Sequence, residues 1–323
     1  MNDLRIPIRI FGAKIKNKQK LLSSQSGGAF TAVAETFLKS NAVIYGCGMD
    51  ENLNAVYMRI TDPEELGKIQ GSKYVQARLK NAYQDIQKDL DEGKTVLFSG
   101  TPCYANAVKR YFKNHRFYKN LYTVDLICHG VPSPKVYHAY LKYLEKKQNS
   151  PVRSFVFRDK TCQGGGWHKH IEKVTYADDT VAYEEGYTKL FYTNLPLRPS
   201  CGTCRFSCMS RTGDFTVGDY WGVEQIFPEF HDDQGVSLIF LNTKRAAEMF
   251  PYIRPALETV ECREEQAAVQ PNLKQPSYIP KCRKRFWNDF HKKGIAYCIR
   301  HWSTAGGLSF RIRRKVMKLL KLW

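Results

Sequence analysis

The stretches VLFSGTPC (Val96–Cys103) and DLICHGVPSP (Asp125–Pro134) decide the predicted fold of this chain. Each contains a run of apolar residues typical of a β-strand and then reaches a proline that suits the first turn of a helix. The residues just before these prolines, Thr101 and Ser133, are of types that cap helix N-termini. Each stretch therefore predicts a strand that leads directly into a helix, and ligands bind at such strand ends in open α/β sheets.

The pattern of apolar residues predicts further elements on both sides of these stretches. The predicted strands are residues 42–45, 55–60, 96–99, 121–128, 154–158, 171–176, 215–220 and 236–241, and the predicted helices are residues 28–39, 74–90, 102–112, 134–147 and 187–195. The strand–helix order over residues 95–147 implies parallel pairing with right-handed crossovers. We therefore predict an α/β (mixed α+β) fold: a mixed sheet with flanking helices and an irregular cysteine-bearing loop at residues 196–211.

The composition bounds the class of protein. With 323 residues, of which 43% are hydrophobic, the chain can bury a large core. It contains no apolar run of about 18 residues that would span a membrane, and residues 1–7 lack the apolar core of a secretory signal. We therefore expect a cytoplasmic protein. Its ten cysteines then indicate metal ligation, reactive thiols or burial, because that compartment keeps thiols reduced.

Positive charge is concentrated at the C-terminal end. Of the net charge of +19, a net +12 lies in residues 281–323, which contain thirteen Lys or Arg and one acidic residue. Residues 310–323 predict an amphipathic helix whose apolar face carries Ile312, Val316, Leu319, Leu320 and Trp323. Such a helix suits an anionic membrane surface, here the inner face of the membrane, and docking on its own domain or on a partner is an equal alternative. Nucleic acid is not an expected partner, because no binding-fold signature accompanies the charge.

Four cysteines carry the metal hypothesis. Cys103 falls in the first turn of a predicted helix, where free N–H groups and the helix dipole favour a thiolate, and Cys128 ends a predicted strand. Cys201 and Cys204 form a C-x-x-C knuckle, a spacing that occurs in both zinc and iron–sulfur sites. Zinc sites usually have two knuckles close together, whereas the other two thiols here follow distant strands. The four together favour a [4Fe–4S] cluster over a zinc ribbon, and the alternative for each is a buried small side chain.

The residues near these cysteines have other interpretations. A Cys128–His129 nucleophile pair is disfavoured, because adjacent side chains on an extended backbone point apart. His129 is interpreted as a hydrogen-bonding or substrate-facing residue. Cys208 follows the knuckle, and the sequence does not decide whether it replaces one of the four proposed ligands. The other cysteines are interpreted as packed or surface thiols: Cys47, Cys162, Cys262, Cys282 and Cys298.

Two turns and one strand suggest a nucleotide-type cofactor. The turn Ser26–Gly27–Gly28 precedes a predicted helix and either cradles a phosphate on its N–H groups or simply starts the helix. Lys73 offers a cation near another predicted helix start, or is solvated. The strand within Asp214–Gly222 ends in aromatic residues that either stack on a flavin or pack in the core.

These motifs together resemble those of a known family. In chain order they are Ser26–Phe30, Gly71–Tyr74, Phe98–Cys103, Asp125–Pro134, Arg198–Cys204 and Asp214–Gly222. The set is similar to the coenzyme F420 hydrogenase/dehydrogenase beta-subunit family over roughly residues 20 to 250, as a bacterial member without the N-terminal ferredoxin domain. Each motif is weak alone, and the combination is specific.

The resemblance implies an iron–sulfur flavoprotein that passes electrons between FAD and a second carrier, which is the deazaflavin F420 in archaeal members. The cluster-ligand role of the family is carried over to Cys103, Cys128, Cys201 and Cys204. The expected cofactor-binding residues are Ser26, Gly27, Gly28, Lys73, Gly100, Thr101 and His129. No catalytic residue is assigned.

One departure from the family pattern changes the expected partner. Many bacterial members begin with a ferredoxin domain, but residues 1–22 contain no cysteine. We therefore expect a separate ferredoxin-like electron donor or acceptor protein, or a small redox carrier, and F420 itself is doubtful as the substrate. Bacterial relatives of this kind resemble proteins encoded with polysaccharide-assembly enzymes, a setting that fits a membrane-facing tail. The alternatives are a non-redox surface-glycan biosynthesis factor with a structural metal, and a transferase with Cys103 or Cys128 as nucleophile.

The motifs divide the chain into four predicted segments. Residues 1–22 form an N-terminal segment with a short strand and a loop. Residues 23–94 and 95–260 form the N- and C-terminal parts of the beta-subunit-like module, and the second part holds the cysteine cluster. Residues 261–323 form the basic tail with its terminal helix.

Overall fold

The computed structural model describes residues 4–162 and 165–319. Its strands are β1 (Arg9–Ile15), β2 (Val43–Met49), β3 (Ala55–Ile60), β4 (Val96–Gly100), β5 (Leu121–Leu126), β6 (Val152–Asp159), β7 (Ile171–Tyr176), β8 (Val181–Glu184), β9 (Phe215–Asp219), β10 (Ser237–Leu241) and β11 (Leu257–Cys262). Its α-helices are α1 (Lys18–Ser23), α2 (Ala29–Lys39), α3 (Ala82–Asp91), α4 (Pro102–Phe112), α5 (Pro134–Gln148), α6 (Gly186–Phe191), α7 (Val223–Ile226), α8 (Lys244–Ile253), α9 (Glu264–Ala267), α10 (Arg283–Trp302) and α11 (Leu308–Leu319).

An eight-stranded mixed sheet forms the centre of the fold, in the order β11-β1-β10-β9-β5-β4-β2-β3. The strands β9, β5, β4 and β2 are parallel, as the strand–helix alternation predicts, and the outer pairings are antiparallel. A second sheet, β6-β7-β8, is antiparallel. The prediction of an α/β fold with a mixed sheet and flanking helices is confirmed. The sheet takes strands from residues 1–22, 23–94 and 95–260, and the division into segments stays a prediction.

Helices cover both faces of the large sheet because successive side chains on a strand point to opposite sides. Tyr45 on β2 and Phe98 on β4 pack in one core with residues of α3, α4, α5 and α10. Their neighbours Ile44 and Leu97 pack in the other core with residues of α2 and α8. Strands that are buried on both faces appear in sequence as continuous apolar runs, which explains the VLF at the start of the first stretch.

Residues 74–81 are not helical, although the sequence predicted a helix over residues 74–90. Helix α3 begins only at Ala82, and Arg78 forms a parallel bridge with β3. The buried residues of this segment, Val75 and Ala77, alternate with more exposed neighbours. This period of two is the pattern of a strand, so the helical interpretation was wrong for the first half of the segment.

Several elements at the edges of the fold were not predicted, among them β8, β11, α8 and α10. β11 pairs with β1 at one edge of the sheet, and its apolar pattern is interrupted by Glu258 and Glu261. The strand predicted to end at Cys128 ends at Leu126, so this cysteine lies on the loop beyond the sheet.

The basic tail contains α10 and α11. Gly294, with φ of +75°, interrupts the helical geometry of α10. α11 is helical as predicted and contacts α10, and its Phe310 and Met317 side chains are buried. Leu320 and Trp323, which the sequence placed on the apolar face, lie outside the described residues. Across residues 4–162 and 165–319, no helix combines the length and apolar character needed to cross a bilayer.

A buried ion pair joins the cysteine-bearing loop to the sheet. Arg211 Nη2 donates to Asp125 Oδ1 at 2.9 Å and to the main-chain oxygen of Leu126 at 2.8 Å. Its Nη1 donates to the carbonyls of Phe206 (2.8 Å) and Cys208 (3.2 Å). Both charged side chains are essentially inaccessible to water. One guanidinium therefore connects the end of β5 with the loop that carries three of the cysteines.

We predict that Arg211→Leu lowers the free energy of unfolding by about 3–5 kcal/mol, because it leaves the Asp125 carboxylate buried without its charged partner. Urea unfolding followed by circular dichroism measures the change. Arg9→Leu is the matched control, since its partner Glu261 is exposed and such a pair contributes at most about 1 kcal/mol. Equal losses for the two variants would contradict the role of the buried pair.

Candidate functional site

A cavity of about 270 Å³ lies at the carboxyl ends of the parallel strands. Its wall includes Cys47 on β2, Ser99 and Gly100 on β4, Leu126 on β5 and Gly218 on β9. The carboxyl ends of parallel strands meet at one edge of a sheet, and open α/β sheets bind their ligands there. The cavity therefore lies where the two opening stretches of sequence predicted a site.

Most of the predicted cofactor-binding residues share this cavity. Those that line it are Ser26, Gly28, Lys73, Gly100, Thr101 and His129. Gly27 lies behind the wall and packs on β1, where a β-carbon would stand 2.1 Å from the main-chain oxygen of Ala13. Cys128 also lines the cavity. The fold brings these residues together, and their roles toward a cofactor stay predictions.

The glycine turn before α2 is held at the cavity wall by the neighbouring strand β10. The main-chain N–H of Gly27 donates to Ser237 Oγ at 2.9 Å. α2 begins at Ala29 without a side-chain cap, and its first-turn residues Phe30 and Thr31 line the cavity. The N-terminal end of this helix, with its partial positive charge, therefore lies at the cavity wall, a place that favours an anion.

Lys73 supplies a cation to the same wall. Its Nζ donates to the main-chain oxygens of Gln70 at 2.6 Å and Gly71 at 3.2 Å. Burial lowers the pKa of Lys73 to about 8, and the nearby Cys47 acts in the opposite direction. Cys47 was interpreted as an ordinary thiol, and its place near the end of a strand was the one indication in the sequence that it belongs to a site.

Aromatic side chains form another part of the wall. Tyr74 stacks on Phe191 with ring centroids 4.9 Å apart and an interplanar angle of 14°. Tyr192 and Trp221 line the cavity beside them. Tyr74 and Trp221 belong to motifs that the sequence singled out. Phe191 and Tyr192 lie at the end of α6, where nothing in the local sequence distinguished them from core residues.

His129 makes the polar contacts that the sequence interpretation expected. Its Nε2 lies 2.7 Å from Asn194 Oδ1, and its main-chain oxygen accepts from Ser277 Oγ at 2.5 Å. Burial lowers the pKa of His129, so the imidazole is neutral around pH 7. In a neutral ring the one N–H is then on Nε2 and donates to the Asn194 amide oxygen, so Nδ1 can only accept a hydrogen bond.

Four thiols gather at the side of the cavity that Cys128 occupies. Cys103, Cys201 and Cys204 each influence the ionisation of Cys128 electrostatically, so all three lie near it. Cys103 is exposed at the start of α4, and the other three are partly buried. The structure thus brings together the four cysteines that the sequence singled out, and their role as ligands stays a prediction.

The two predicted helix caps next to these thiols behave differently. Ser133 Oγ accepts from the N–H of Lys135 at 3.3 Å and caps α5 as predicted. Thr101 makes no side-chain cap at α4, and its hydroxyl lies 3.2 Å from Cys103 Sγ. The Thr101 side chain therefore contacts the thiol instead of the helix end, which corrects the sequence prediction.

The loop carrying Cys201 is paired with the segment that follows Cys128. The N–H of Arg198 donates to the main-chain oxygen of Val131 at 3.1 Å. The main-chain N–H groups of Gly130 and Val131 lie near the sulfurs of Cys128 and Cys201, respectively, and act to lower the pKa values of these thiols. Gly130 has φ of +139°, and a β-carbon there would stand 3.2 Å from Cys201 Cβ. Glycine is therefore needed both for this backbone conformation and for the close approach of the loop.

Burial raises the pKa of the Cys128 thiol well above its ordinary value, and the neighbouring thiols add to the increase. Burial also raises the pKa of Cys201. A buried protonated thiol is a poor nucleophile, whereas coordination to a metal removes its proton. The raised pKa of Cys128 therefore argues against this residue as the nucleophile of a transferase. It agrees with a role as a metal ligand.

The spacing of the sulfur atoms is wider than one zinc ion requires. Among the described residues, no three of these sulfurs lie within 4.8 Å of one another. A tetrahedral zinc with Zn–S bonds of about 2.3 Å places its sulfur ligands about 3.8 Å apart. The sulfurs as placed are therefore farther apart than in a closed tetrahedral zinc site.

Cys208, the fifth candidate, is turned toward its own loop. Its Sγ lies 3.2 Å from the main-chain oxygen of Ser210 and 3.5 Å from that of Arg205. The cysteines with the largest effect on the ionisation of Cys128 are Cys103, Cys201 and Cys204. The geometry therefore favours the original four thiols over a set that contains Cys208.

Comparisons with known proteins agree with this architecture. A solved structure of similar fold is the F420-reducing [NiFe] hydrogenase complex from Methanosarcina barkeri, with a TM-score of 0.56 and 18% sequence identity over 85% of this chain and 92% of that chain. At this identity the likeness shows the fold alone. The comparison with curated proteins found no match.

Two family models match in sequence. Both describe the beta subunit of coenzyme F420 hydrogenase/dehydrogenase: the model of its C-terminal part matches residues 93–265, and the model of its N-terminal part matches residues 10–83. Together they include every predicted cluster ligand and cofactor-binding residue. The chain therefore belongs to the coenzyme F420 hydrogenase/dehydrogenase beta-subunit family.

Proposed function

We propose that the chain is an iron–sulfur flavoprotein that passes electrons between FAD bound in the cavity and a [4Fe–4S] cluster. The proposed cluster ligands are Cys103, Cys128, Cys201 and Cys204. The observation that carries the proposal is the position of Cys128, which belongs to the thiol group and also lines the cavity. A cluster held by these thiols would therefore lie directly beside the cavity.

The residues of the cavity fit FAD. The N-terminal end of α2 and Lys73 offer partial and full positive charge to a pyrophosphate group. The aromatic wall around Tyr74, Tyr192 and Trp221 offers flat surfaces to an isoalloxazine ring. A charged part and an aromatic part in one cavity are the two features that a flavin dinucleotide requires.

The thiol group fits a cluster. Among the described residues, no three of its sulfurs lie within 4.8 Å of one another, and main-chain N–H groups near Cys128 and Cys201 favour the thiolate forms. N–H groups that donate hydrogen bonds to cluster sulfurs tune the reduction potential of iron–sulfur clusters. When both groups are bound, the flavin accepts or donates an electron pair and the cluster carries electrons singly.

The exposed position of Cys103 suggests where the second electron carrier would approach the cluster. Because this thiol is exposed while Cys128 faces the cavity, the thiol group extends from the cavity toward the protein surface. We infer that a ferredoxin-like protein, or a small redox carrier, exchanges electrons with the cluster on the Cys103 side.

We predict that protein purified or reconstituted without oxygen is brown, contains about four iron and four sulfide per chain, and loses its visible band with dithionite. Cys128→Ser or Cys201→Ser lowers the iron content severalfold, because each removes one thiolate ligand. Iron and sulfide analysis with absorption spectroscopy measures this.

Cys208→Ser, in the same loop, is the matched control and keeps its iron. A colourless wild-type protein with stoichiometric zinc at the four thiols would instead support the alternative of a structural metal without redox turnover.

The proposed role of Lys73 gives a pH-dependent prediction. Because its pKa is lowered to about 8, its charge is present below this pH and is lost as the pH rises. We expect FAD affinity to fall about tenfold from about pH 7 to about pH 9.5, the effect of losing one charge-assisted hydrogen bond. Quenching of flavin fluorescence measures the dissociation constant.

Two variants separate this effect from general changes with pH. Lys73→Met is expected to bind FAD weakly throughout and to show little pH dependence. Lys88→Met, which alters an exposed lysine on α3, follows the wild type. The same pH dependence in Lys73→Met as in the wild type would remove Lys73 from the binding site.

We also propose that α11 attaches the protein to an anionic membrane surface. Leu308, Ile312, Val316 and Leu319 are 73%, 56%, 48% and 75% exposed, and at helical spacing they form one stripe. The buried Phe310 and Met317 hold the other side of the helix on the protein. Basic residues flank the exposed stripe: Arg311, Arg314, Lys315 and Lys318. An apolar stripe beside cationic side chains is the pattern of helices that lie on anionic lipid.

We predict that the full-length double variant Ile312→Ser/Val316→Ser no longer sediments with phosphatidylserine-containing vesicles, because it removes apolar area from the stripe. Point substitutions are preferable to a deletion, since Phe310 and Met317 are buried. Tyr252→Ser, at an exposed residue of α8, is the control and sediments as the wild type does. No sedimentation of the wild type, or equal sedimentation of all three proteins, would argue against membrane attachment.

A further inference from the structure

We propose that His168, Glu224 and His231 form a binding site for a divalent transition metal, with zinc as the ion it suits best. Each residue offers one ligand atom, and these atoms all lie within 4.8 Å of one another. None of the three lines the cavity, and none belongs to the thiol group. The proposal is independent of the proposed flavin and cluster.

The backbone holds the three residues in place. The main-chain N–H of Trp167 donates to the main-chain oxygen of Asp233 at 3.1 Å, which ties the segment before His168 to the loop after His231. The N–H of His231 donates to the main-chain oxygen of Phe227 at 3.1 Å. This second bond fixes His231 relative to α7, the helix that carries Glu224.

Aromatic packing orients the first imidazole. Trp167 is fully buried and stacks on Trp221 with centroids 4.8 Å apart and an interplanar angle of 8°. The His168 ring lies 4.4 Å from the Trp167 ring and 5.4 Å from the Trp221 ring. The His168 and His231 rings are 5.9 Å apart. The His168 imidazole is therefore positioned by buried aromatic packing before any ion binds, which limits the entropy lost on binding.

His231 shows the hydrogen-bonding pattern of a metal ligand. Its Nε2 lies 3.3 Å from Asp233 Oδ1. Its Nδ1 is buried and has no hydrogen-bond partner among the described residues. Metal-bound histidines commonly donate one ring N–H to a carboxylate and bind the ion through the other nitrogen. The Asp233 contact therefore leaves Nδ1 as the ligand atom, and an ion there would satisfy a buried polar atom.

The ligand types determine the class of ion. Two imidazoles and one carboxylate form a known protein ligand set for zinc, with a fourth position left for water. Calcium and magnesium prefer oxygen ligands, so they suit this site poorly. Trp221 lines the cavity on one side and packs against His168. An ion would therefore fasten the segment at His168 to the segment at 221–231 and hold Trp221 in the cavity wall.

Equilibrium dialysis of the iron-loaded protein against zinc, followed by elemental analysis, tests the site. The wild type is expected to retain about one zinc per chain more than His168→Ala, Glu224→Gln or His231→Ala. Asp233→Asn is expected to weaken zinc binding about 10- to 100-fold, as loss of a carboxylate partner to a ligating histidine does. His291→Ala alters an exposed histidine on α10 and keeps the zinc of the wild type.

Thermal unfolding with and without zinc provides the second readout. Zinc raises the melting temperature of the wild type and of His291→Ala, because an ion that binds only the folded state stabilises it. It leaves that of His168→Ala, Glu224→Gln and His231→Ala unchanged, and Asp233→Asn needs more zinc for the same rise. If His231→Ala proves unstable without zinc, the exposed residues Glu224 and Asp233 supply the deciding variants. Cys201→Ser/Cys204→Ser, which removes the knuckle, is expected to lose iron and keep this zinc. Equal zinc retention by the wild type and by both Glu224→Gln and His168→Ala would overturn the proposal.

Discussion

The buried ion pair between Arg211 and Asp125 is the interaction on which the arrangement of the site depends. Asp125 lies near the end of β5, three residues before Cys128, and Arg211 ends the loop that carries the knuckle thiols Cys201 and Cys204. Buried charges are tolerated where they are paired and their remaining hydrogen-bonding capacity is used. Asp125 also accepts from the N–H groups of residues 212 and 213. These contacts hold an irregular loop against the end of β5, so the thiols on the loop lie near Cys128.

Burial changes the pKa values of two side chains that line the cavity, Lys73 and Cys128. Burial lowers the pKa of Lys73 and raises the pKa of Cys128, so each side chain is shifted toward its neutral form. A bound phosphate would restore the charge of the lysine, and a bound metal would restore the thiolate. Cys128 both lines the cavity and belongs to the thiol group, so a flavin and a cluster bound as proposed would be neighbours. The same wall continues to Trp221, which links the cavity to the His168–Glu224–His231 group on its other side.

Much of the fold and part of the site could be predicted from local sequence. The parallel order of β4 and β5 followed from two strand–proline–helix stretches, and six of the seven predicted cofactor-binding residues line one cavity. The errors have physical causes. Residues 74–81 were interpreted as helical because, over so short a segment, their apolar residues fit the helical period of 3.6 residues as well as the strand period of two. Thr101 was expected to cap α4, but its hydroxyl contacts the Cys103 thiol instead.

The sequence by itself determined the α/β class and the strand ends that form the site, because these depend on residues within about ten positions of one another. It also singled out four thiols, but these are up to about a hundred residues apart, and only the fold brings them near one another. Only the tertiary structure decided that Cys47, Phe191 and Tyr192 share the cavity with Lys73. The same is true of the group formed by His168, Glu224 and His231. Such groupings depend on which distant strands pair and how helices pack over them. Strand pairing and helix packing are determined by burial and hydrogen bonding across the whole fold, so local sequence patterns do not predict them.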